Sequence, residues 1–402
     1  MSRVWLGAAL AGLLVASAVS CDSSEGTSPK PGDDGGPDAA RALEDADVPD
    51  ADAAPDADAS EPVRCSADGF CHTVLPPGQT LRGVWGDDHG VVWAVSEQGD
   101  ILRWDGSSWE IRHSDAGALH AIWGSSPTDI WVGGDRGLLH GSGPSSKDLV
   151  WTSVTVPGAE DVPISAIAGR SASDIWAVGG SVDLMVFPPD IEGRILHFAG
   201  ASSDPGAGWT IGHLAPDFTV LTRVWTTSQG ALWIGGANHE NAPFQQSRAV
   251  LLHQEAGSDT LSDVPLPMLE RYGSPAEVET VTGGAVVAGE LVVLGITASE
   301  GVYLRASDAP DGDASLVWED TRFDVSPSHL LHAVWGSSDN DILLAGDYGR
   351  LRRWDGTTWS LPRIVVGKAP LTNTFHAVWA SADDDLWFVG DRIALHKRPP
   401  QK

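Results

Sequence analysis

Three cysteines, three tyrosines and three methionines are all that 402 residues carry. So few cysteines exclude a disulfide-dense scaffold and a multi-cysteine zinc domain. Cation is also scarce: 25 Lys and Arg stand against 55 Asp and Glu, a formal net charge of −30. Without a basic footprint to release counterions, nucleic acid is not an expected partner, nor is loose adhesion to anionic lipid. No apolar run is long enough to span a bilayer; the best, Leu6 to Val19, falls short. No amphipathic helix of useful length follows residue 64, and no G-x-S-x-G, H-E-x-x-H or glycine-rich phosphate loop is present. What the chain does have is tryptophan, 18 of them. A residue preferred this strongly over tyrosine points to one structural slot filled repeatedly.

The start of the chain reads as an address. "MSRVWLGAALAGLLVASAVSC" combines a basic Arg3, a short apolar stretch and small residues before Cys21. It resembles a bacterial lipoprotein signal, with "AVSC" (Ala18–Cys21) in the lipobox place and Ala18 where leucine is usual. The resemblance implies a signal peptide over residues 1–20, export, and lipidation at Cys21, with two or three acyl chains anchoring stably at about 0.8 kcal/mol per buried CH₂. The membrane is then reached through this anchor only. Asp22 weighs against outer-membrane sorting in some Gram-negative bacteria, but outer membrane or cell surface is the expected location.

Residues 21–64 follow as a tether. From Asp22 to Pro62 the chain holds 13 acidic and 2 basic residues among Ala, Pro, Gly and Ser, with almost nothing to bury. Such a segment does not offset its own chain entropy, and disorder is expected. A neutral coil of this length spans about 35 Å, and self-repulsion lengthens it. Cys65 and Cys71, six residues apart in an exported chain, are expected to form a disulfide.

Residues 65–402 are repetitive. Segments beginning at Leu81, Leu119, Ile164, Leu221, Val278, Leu331 and Phe375 recur at intervals of roughly 38 to 60 residues, the range of stacked units. Each reads as four short strands. "LHAVWG" alternates as a half-buried strand does, "DILLAG" or "DIWVGG" is a buried run, "GRLRRW" alternates again, and "TTWSLPRI" or "SSWEIRHS" is outermost. Turn chemistry separates them, with "WDG" at Trp104–Gly106 and Trp354–Gly356 between the third and fourth. Seven four-stranded units predict an all-β fold, a seven-bladed β-propeller. The inner-strand Trp and a second Trp eight residues later (Trp93, Trp131, Trp176, Trp233, Trp387) are assigned to the seams between blades. The last repeat lacks a fourth strand. "GFCHTVLPPGQTLRGVWG" aligns with "SSWEIRHSDAGALHAIWG", so Phe70 to Leu75 is predicted to close the ring as its outer strand.

The stretches "SSPTDIWVGG", "SASDIWAVGG", "SSDNDILLAG" and "SADDDLWFVG" resemble the Asp-box-like repeats of bacterial seven-bladed propellers. Together with the lipobox, acidic tether and cysteine pair, the layout resembles propeller lipoproteins abundant in myxobacteria. That resemblance implies architecture and little about activity. Asp129, Asp174, Asp341 and Asp385 hold the box position and are read as structural, accepting backbone N–H groups in the turn between the first two strands.

For function, the longest loops gather on the face where inner strands begin: Ser181–Gly193, Ala237–Ser247 and Gln254–Glu277. The slot after the first residue of each inner strand reads Arg82, His120, Ser165, Thr222, Glu279, His332 and His376. In a closed ring repeats six, seven, one and two are adjacent, so Arg82, His120, His332 and His376 form one arc, a candidate site for an anion or carboxylate. The alternative is that each His bonds only within its own blade. Arg82 argues against a metal, and no cofactor is expected. The expected role is a monomeric, non-catalytic propeller binding an envelope protein, peptide or glycan. The alternative is a carbohydrate-active lyase or hydrolase; the tyrosines (Tyr272, Tyr303, Tyr348) and acids show no sialidase-like grouping.

Overall fold

Seven four-stranded antiparallel sheets are arranged as a closed ring in the computed structural model. It describes residues 65–398 apart from 88, 159–161, 187, 201–207, 241–245, 299, 309–315, 324–329, 363 and 367–368. All fall in one compact unit, Glu61–Lys402. The signal sequence, Cys21 and the tether lie outside the described residues.

From innermost to outermost strand, blade 1 is Leu81–Gly86, Val92–Ser96, Ile101–Trp104 and Trp109–His113. Blade 2 is Leu119–Ser126, Asp129–Gly134, Gly137–Ser142 and Val150–Val154. Blade 3 is Ile164–Ser171, Asp174–Asp183, Asp190–Phe198 and Trp209–His213; blade 4 is Thr219–Thr226, Leu232–Asn238, Arg248–Gln254 and Ser262–Asp263. Blade 5 is Thr280–Val287, Glu290–Ile296, Gly301–Asp308 and Leu316–Asp320; blade 6 is Leu331–Ser338, Asp341–Gly346, Leu351–Trp354 and Trp359–Ser360. Blade 7 has Phe375–Ala382, Asp385–Gly390 and Ile393–Lys397, completed by Phe70–His72 as its outer strand. Phe70 pairs with Lys397, Cys71 with His396 and His72 with Leu395, so the two ends of the described chain close the ring; the strand stops at His72, short of the expected Leu75, and Val74 bridges to Ser108 of blade 1. Cys65 and Cys71 are disulfide-bonded beside this strand.

Tryptophan and glycine explain each other across the seams. A Cβ on Gly124 of blade 2 would lie 2.9 Å from the Trp85 ring of blade 1. The same holds for Gly169 against Trp123 at 2.5 Å and Gly86 against Trp379 at 2.7 Å. These three inner-strand indoles therefore occupy the space that the next blade's missing side chain leaves, whereas Trp335 of blade 6 is followed by Ala380 in blade 7. Where blade 3 carries Ala168 in place of Trp, blade 4 carries Thr226 in place of Gly, whose hydroxyl donates to the Gly169 carbonyl at 3.4 Å. The second-strand Trp goes to the other side of the seam. Trp131 packs edge-on to Trp209 of blade 3, Trp93 to Trp151 of blade 2, and Trp387 to Trp104 and Trp109 of blade 1.

Two expectations need correction. The box aspartates are tied to side chains. Asp129 accepts from His140 at 2.6 Å and from Ser125; Asp385 accepts from His396 at 2.6 Å and Ser381 at 2.5 Å. Asp174 accepts from His197 and Arg170, and Asp341 from Arg353 and Ser337. The third strand supplies the His or Arg. In blades 2, 3 and 7 that His also stacks on the second-strand Trp, 4.0–4.2 Å between ring centres. Backbone N–H groups are instead held by Asp105 and Asp355 of the two "WDG" turns, which drops the Asp105 carboxyl to about 2. The second correction concerns blade 5. Val281, not Val278, pairs with Gly295 as Leu221 pairs with Gly236 in blade 4, so the slot residue is Thr282 and not Glu279.

Candidate functional site

Every inner strand carries the same irregularity. Its second residue is skipped in the pairing: the register jumps from Leu81 to Gly83, Leu119 to Ala121, Ile164 to Ala166 and Leu221 to Arg223. It jumps likewise from Val281 to Gly283, Leu331 to Ala333 and Phe375 to Ala377. A bulge frees one residue from the ladder and re-aims its side chain. The seven freed residues are Arg82, His120, Ser165, Thr222, Thr282, His332 and His376. Six of them, all but Thr282, line one central cavity of about 570 Å³, the channel of the ring.

Within the predicted arc, three members touch. The His332 and His376 rings lie 5.5 Å apart, and Arg82 Nη1 is 3.3 Å from both nitrogens of His376. His120 lines the same cavity without joining that chain of contacts. Each arc member also bonds a carboxylate of its own blade. Arg82 Nη2 donates to Glu97 at 2.7 Å, and Nε2 of His120, His332 and His376 meets Asp135, Asp347 and Asp391 at 2.7, 2.8 and 2.7 Å. So each histidine bonds within its own blade, and the same side chains line one cavity. With Nε2–H of His376 aimed at Asp391, its Nδ1 keeps a lone pair that accepts from Arg82. The acid always stands fifteen residues after the slot, immediately beyond the second strand, which puts the arc on the face bearing the second-to-third-strand loops. That spacing was available in the sequence.

A second depression of about 380 Å³ sits behind the arc, lined by Asp347, Tyr348, Thr372, Asn373, Thr374, Asp391 and Arg392. The His332–Asp347 and His376–Asp391 pairs separate it from the channel. The imidazole of each pair lines the channel and the carboxylate lines this depression. Of the long loops on this face, Ser181–Gly193 is mostly ladder: blade 3 extends its second and third strands as far as the Asp183–Asp190 pair. Beyond lie exposed Leu184 and Met185, the latter 95% exposed. The Gln254–Glu277 connection folds a hairpin, Leu269–Arg271 with Ser274–Ala276, pinned by buried Arg271 on Asp320 at 2.6 Å and on Glu300.

Sequence reasoning missed Arg223. It stands one residue beyond the slot, where the other six blades carry Gly83, Ala121, Ala166, Gly283, Ala333 and Ala377. Its guanidinium lines the channel, and protein enclosure, followed by the charge of Arg82, lowers its pKa to about 10.

Burial lowers the pKa of four histidines. For His239 it is the sole cause and for His253 the main one; for His376 burial is joined by Arg82, and for His396 it outweighs the opposing Asp385. The unfolded chain then protonates first, near 6.5, so stability is full above that value and declines as pH falls below it. Glu279, raised by burial, acts in the opposite sense at lower pH. The melting temperature is expected to drop by roughly 2–4 °C for each kcal/mol lost between pH 7 and 5. Thermal unfolding across that range checks it; a flat profile counts against the four neutral imidazoles.

No family model matches the chain, and no curated protein matches it. Solved structures do. YCF48 from Cyanidioschyzon merolae superposes with a TM-score of 0.59 at 12% identity, over 83% of this chain and 100% of that one. A structure of YCF48 bound to D1 peptide gives 0.56 at 14% identity, over 84% and 100%. The WD40 repeats of RRP9 give 0.57 at 8% identity, over 83% and 98%. At such identities the likeness concerns the propeller fold alone.

Proposed function

We propose that this chain is an exported, lipid-anchored, non-catalytic propeller, of the type abundant in myxobacteria, that binds a protein, peptide or glycan of the cell envelope on its loop-rich face. Cys21 is the anchor, the acidic segment is the spacer, and outer membrane or cell surface is the location. Arg82, His120, His332 and His376 belong to the binding face. The observation that carries this is the channel mouth, where bulges turn side chains of adjacent blades into one cavity on the face with the longest connections. That a similar propeller has been seen with a peptide is consistent with such a partner.

The alternative, a carbohydrate-active lyase or hydrolase, needs carboxyl groups free to face a scissile bond. At this mouth Glu97, Asp135, Asp347 and Asp391 are each engaged by a cation or imidazole of their own blade, which favours binding. The experiment is cross-linked capture from native envelopes, with wild-type chain and the Arg82→Ala/His332→Ala/His376→Ala variant. One partner recovered with wild type and lost with the variant is expected, alongside release of Cys21→Ser from the membrane fraction. Glycan cleavage by wild type that disappears in Glu97→Gln decides for the enzyme.

A further inference from the structure

The channel holds a cation that the blade pattern does not balance. Arg223 Nε donates to the Thr282 carbonyl at 2.6 Å and Nη1 to the Thr222 carbonyl at 2.7 Å, both uncharged acceptors. Among the described residues no carboxylate lies within ion-pairing distance of it. The charge nearest in effect is another cation, Arg82, which comes from blade 1, three blades away around the ring. Glu97 is the one carboxylate among the described residues lining the cavity, and it is already bound to Arg82. A guanidinium does not shed its proton to relieve this, and a half-buried cation without a counter-charge is costly.

The wall beyond the charged ring is apolar. One residue further along the inner strands stand Val84, Ile122, Ile167, Val224, Val334 and Val378, all at the cavity; the first four are mostly buried between blades, and half-buried Val334 and Val378 offer apolar surface beside His332 and His376. Sugar hydroxyls would lose their hydrogen bonds against this collar, whereas an aliphatic group would gain from it. Glu97 offsets the charge of Arg82, so the uncompensated charge left at the cavity is the single one of Arg223, which matches a monoanion.

We propose that the channel binds a carboxylate with an apolar neighbouring group, such as the C-terminal end of a chain finishing in a small aliphatic residue, between Arg223 and Arg82. The carboxylate takes the free N–H groups of Arg223 as a charge-assisted pair, and His332 and His376 flank it. This rests on the channel mouth being the binding face, and names the chemistry it reads.

The test is calorimetric titration of the full chain with N-acetyl-Ala-Val, its C-terminal amide and glucuronic acid. The acid peptide is expected to bind at least tenfold more tightly than the amide and than glucuronate. Arg223→Gln is expected to lose at least tenfold for the acid peptide while melting as wild type does, and Arg223→Lys to recover part of it. If Arg223→Gln does not fold, Arg82→Gln serves, with the same loss expected. Equal binding of acid and amide, tighter glucuronate binding, or unchanged binding by a folded Arg223→Gln overturns the proposal. If no probe binds while the triple channel variant still loses its envelope partner, the carboxylate is wrong and the binding face stands; if both fail, both fall.

Discussion

Replacing Trp387 by alanine is expected to cost about 4 kcal/mol, a large share of the 5–15 kcal/mol that separates native from unfolded domains. The indole is 2% exposed. It sits in the seam between blades 7 and 1, edge-on to Trp104 and Trp109 at 5.2 and 5.4 Å, and stacked on His396 at 4.0 Å. Truncation opens a cavity among Leu81, Val92, Leu102 and Val389, strands that cannot collapse inward without breaking their ladders. It also removes the face against which His396 is held while it bonds Asp385, loosening the third strand of blade 7. The midpoint of urea unfolding should fall steeply at unchanged slope, and Trp387→Phe should restore roughly half of the loss. An alanine variant with the wild-type midpoint would show that the seam does not rely on this residue.

Why the blades were legible and the site only partly so comes down to periodicity. Strand alternation, "WDG" turns and the spacing of tryptophans are local signals, repeated often enough to correct one another. The match of Trp85, Trp123 and Trp379 to the next blade's Gly is visible too, once blade order is known, and Ala168 before Thr226 fits it, whereas Trp335 before Ala380 and Ala285 before Gly336 do not. Blade 5 was misplaced by three residues because it has Ala285 and Val292 where blade 1 pairs Trp85 with Trp93, leaving only interchangeable small apolar residues to align. The box aspartates misled for a different reason. Their partners lie on the next strand, at His140, His197, Arg353 and His396, and a loop as long as that of blade 3 hides the spacing.

The arc of Arg82, His120, His332 and His376 was read from one position in four repeats. Its acids, always fifteen residues on, were equally readable but are meaningful only once the bulge aims the slot inward and across. Arg223 was not legible at all. Its significance is that it breaks the pattern at a position with no functional precedent in the other blades, and a single departure in a degenerate repeat looks like drift until a channel is built around it.

Removing the closing strand should do more damage than any single substitution. In a chain beginning at Leu75, Phe70 is lost from contact with Phe388, itself about 3–5 kcal/mol by analogy with buried phenylalanine truncations. Three further ties go with it. Thr73 bonds the Ala394 carbonyl through both its N–H and its hydroxyl, the Trp109 indole N–H loses the Thr73 hydroxyl, and the Trp109 backbone N–H loses Val74. These join blade 7 to blade 1, so the ring is cut where it was sealed. Ile393–Lys397 becomes an open edge that pairs with other chains. The shortened chain is expected to elute as aggregate, with any monomer unfolding well below wild type in urea. Loss of the disulfide alone separates strand from staple: Cys65→Ser/Cys71→Ser should cost only about 2 kcal/mol, since a short loop restricts the unfolded chain little. A shortened chain that stays monomeric and unfolds at the wild-type urea concentration would mean that blade 7 is held by its inner three strands, and that the closing strand is an ornament of the sequence alignment.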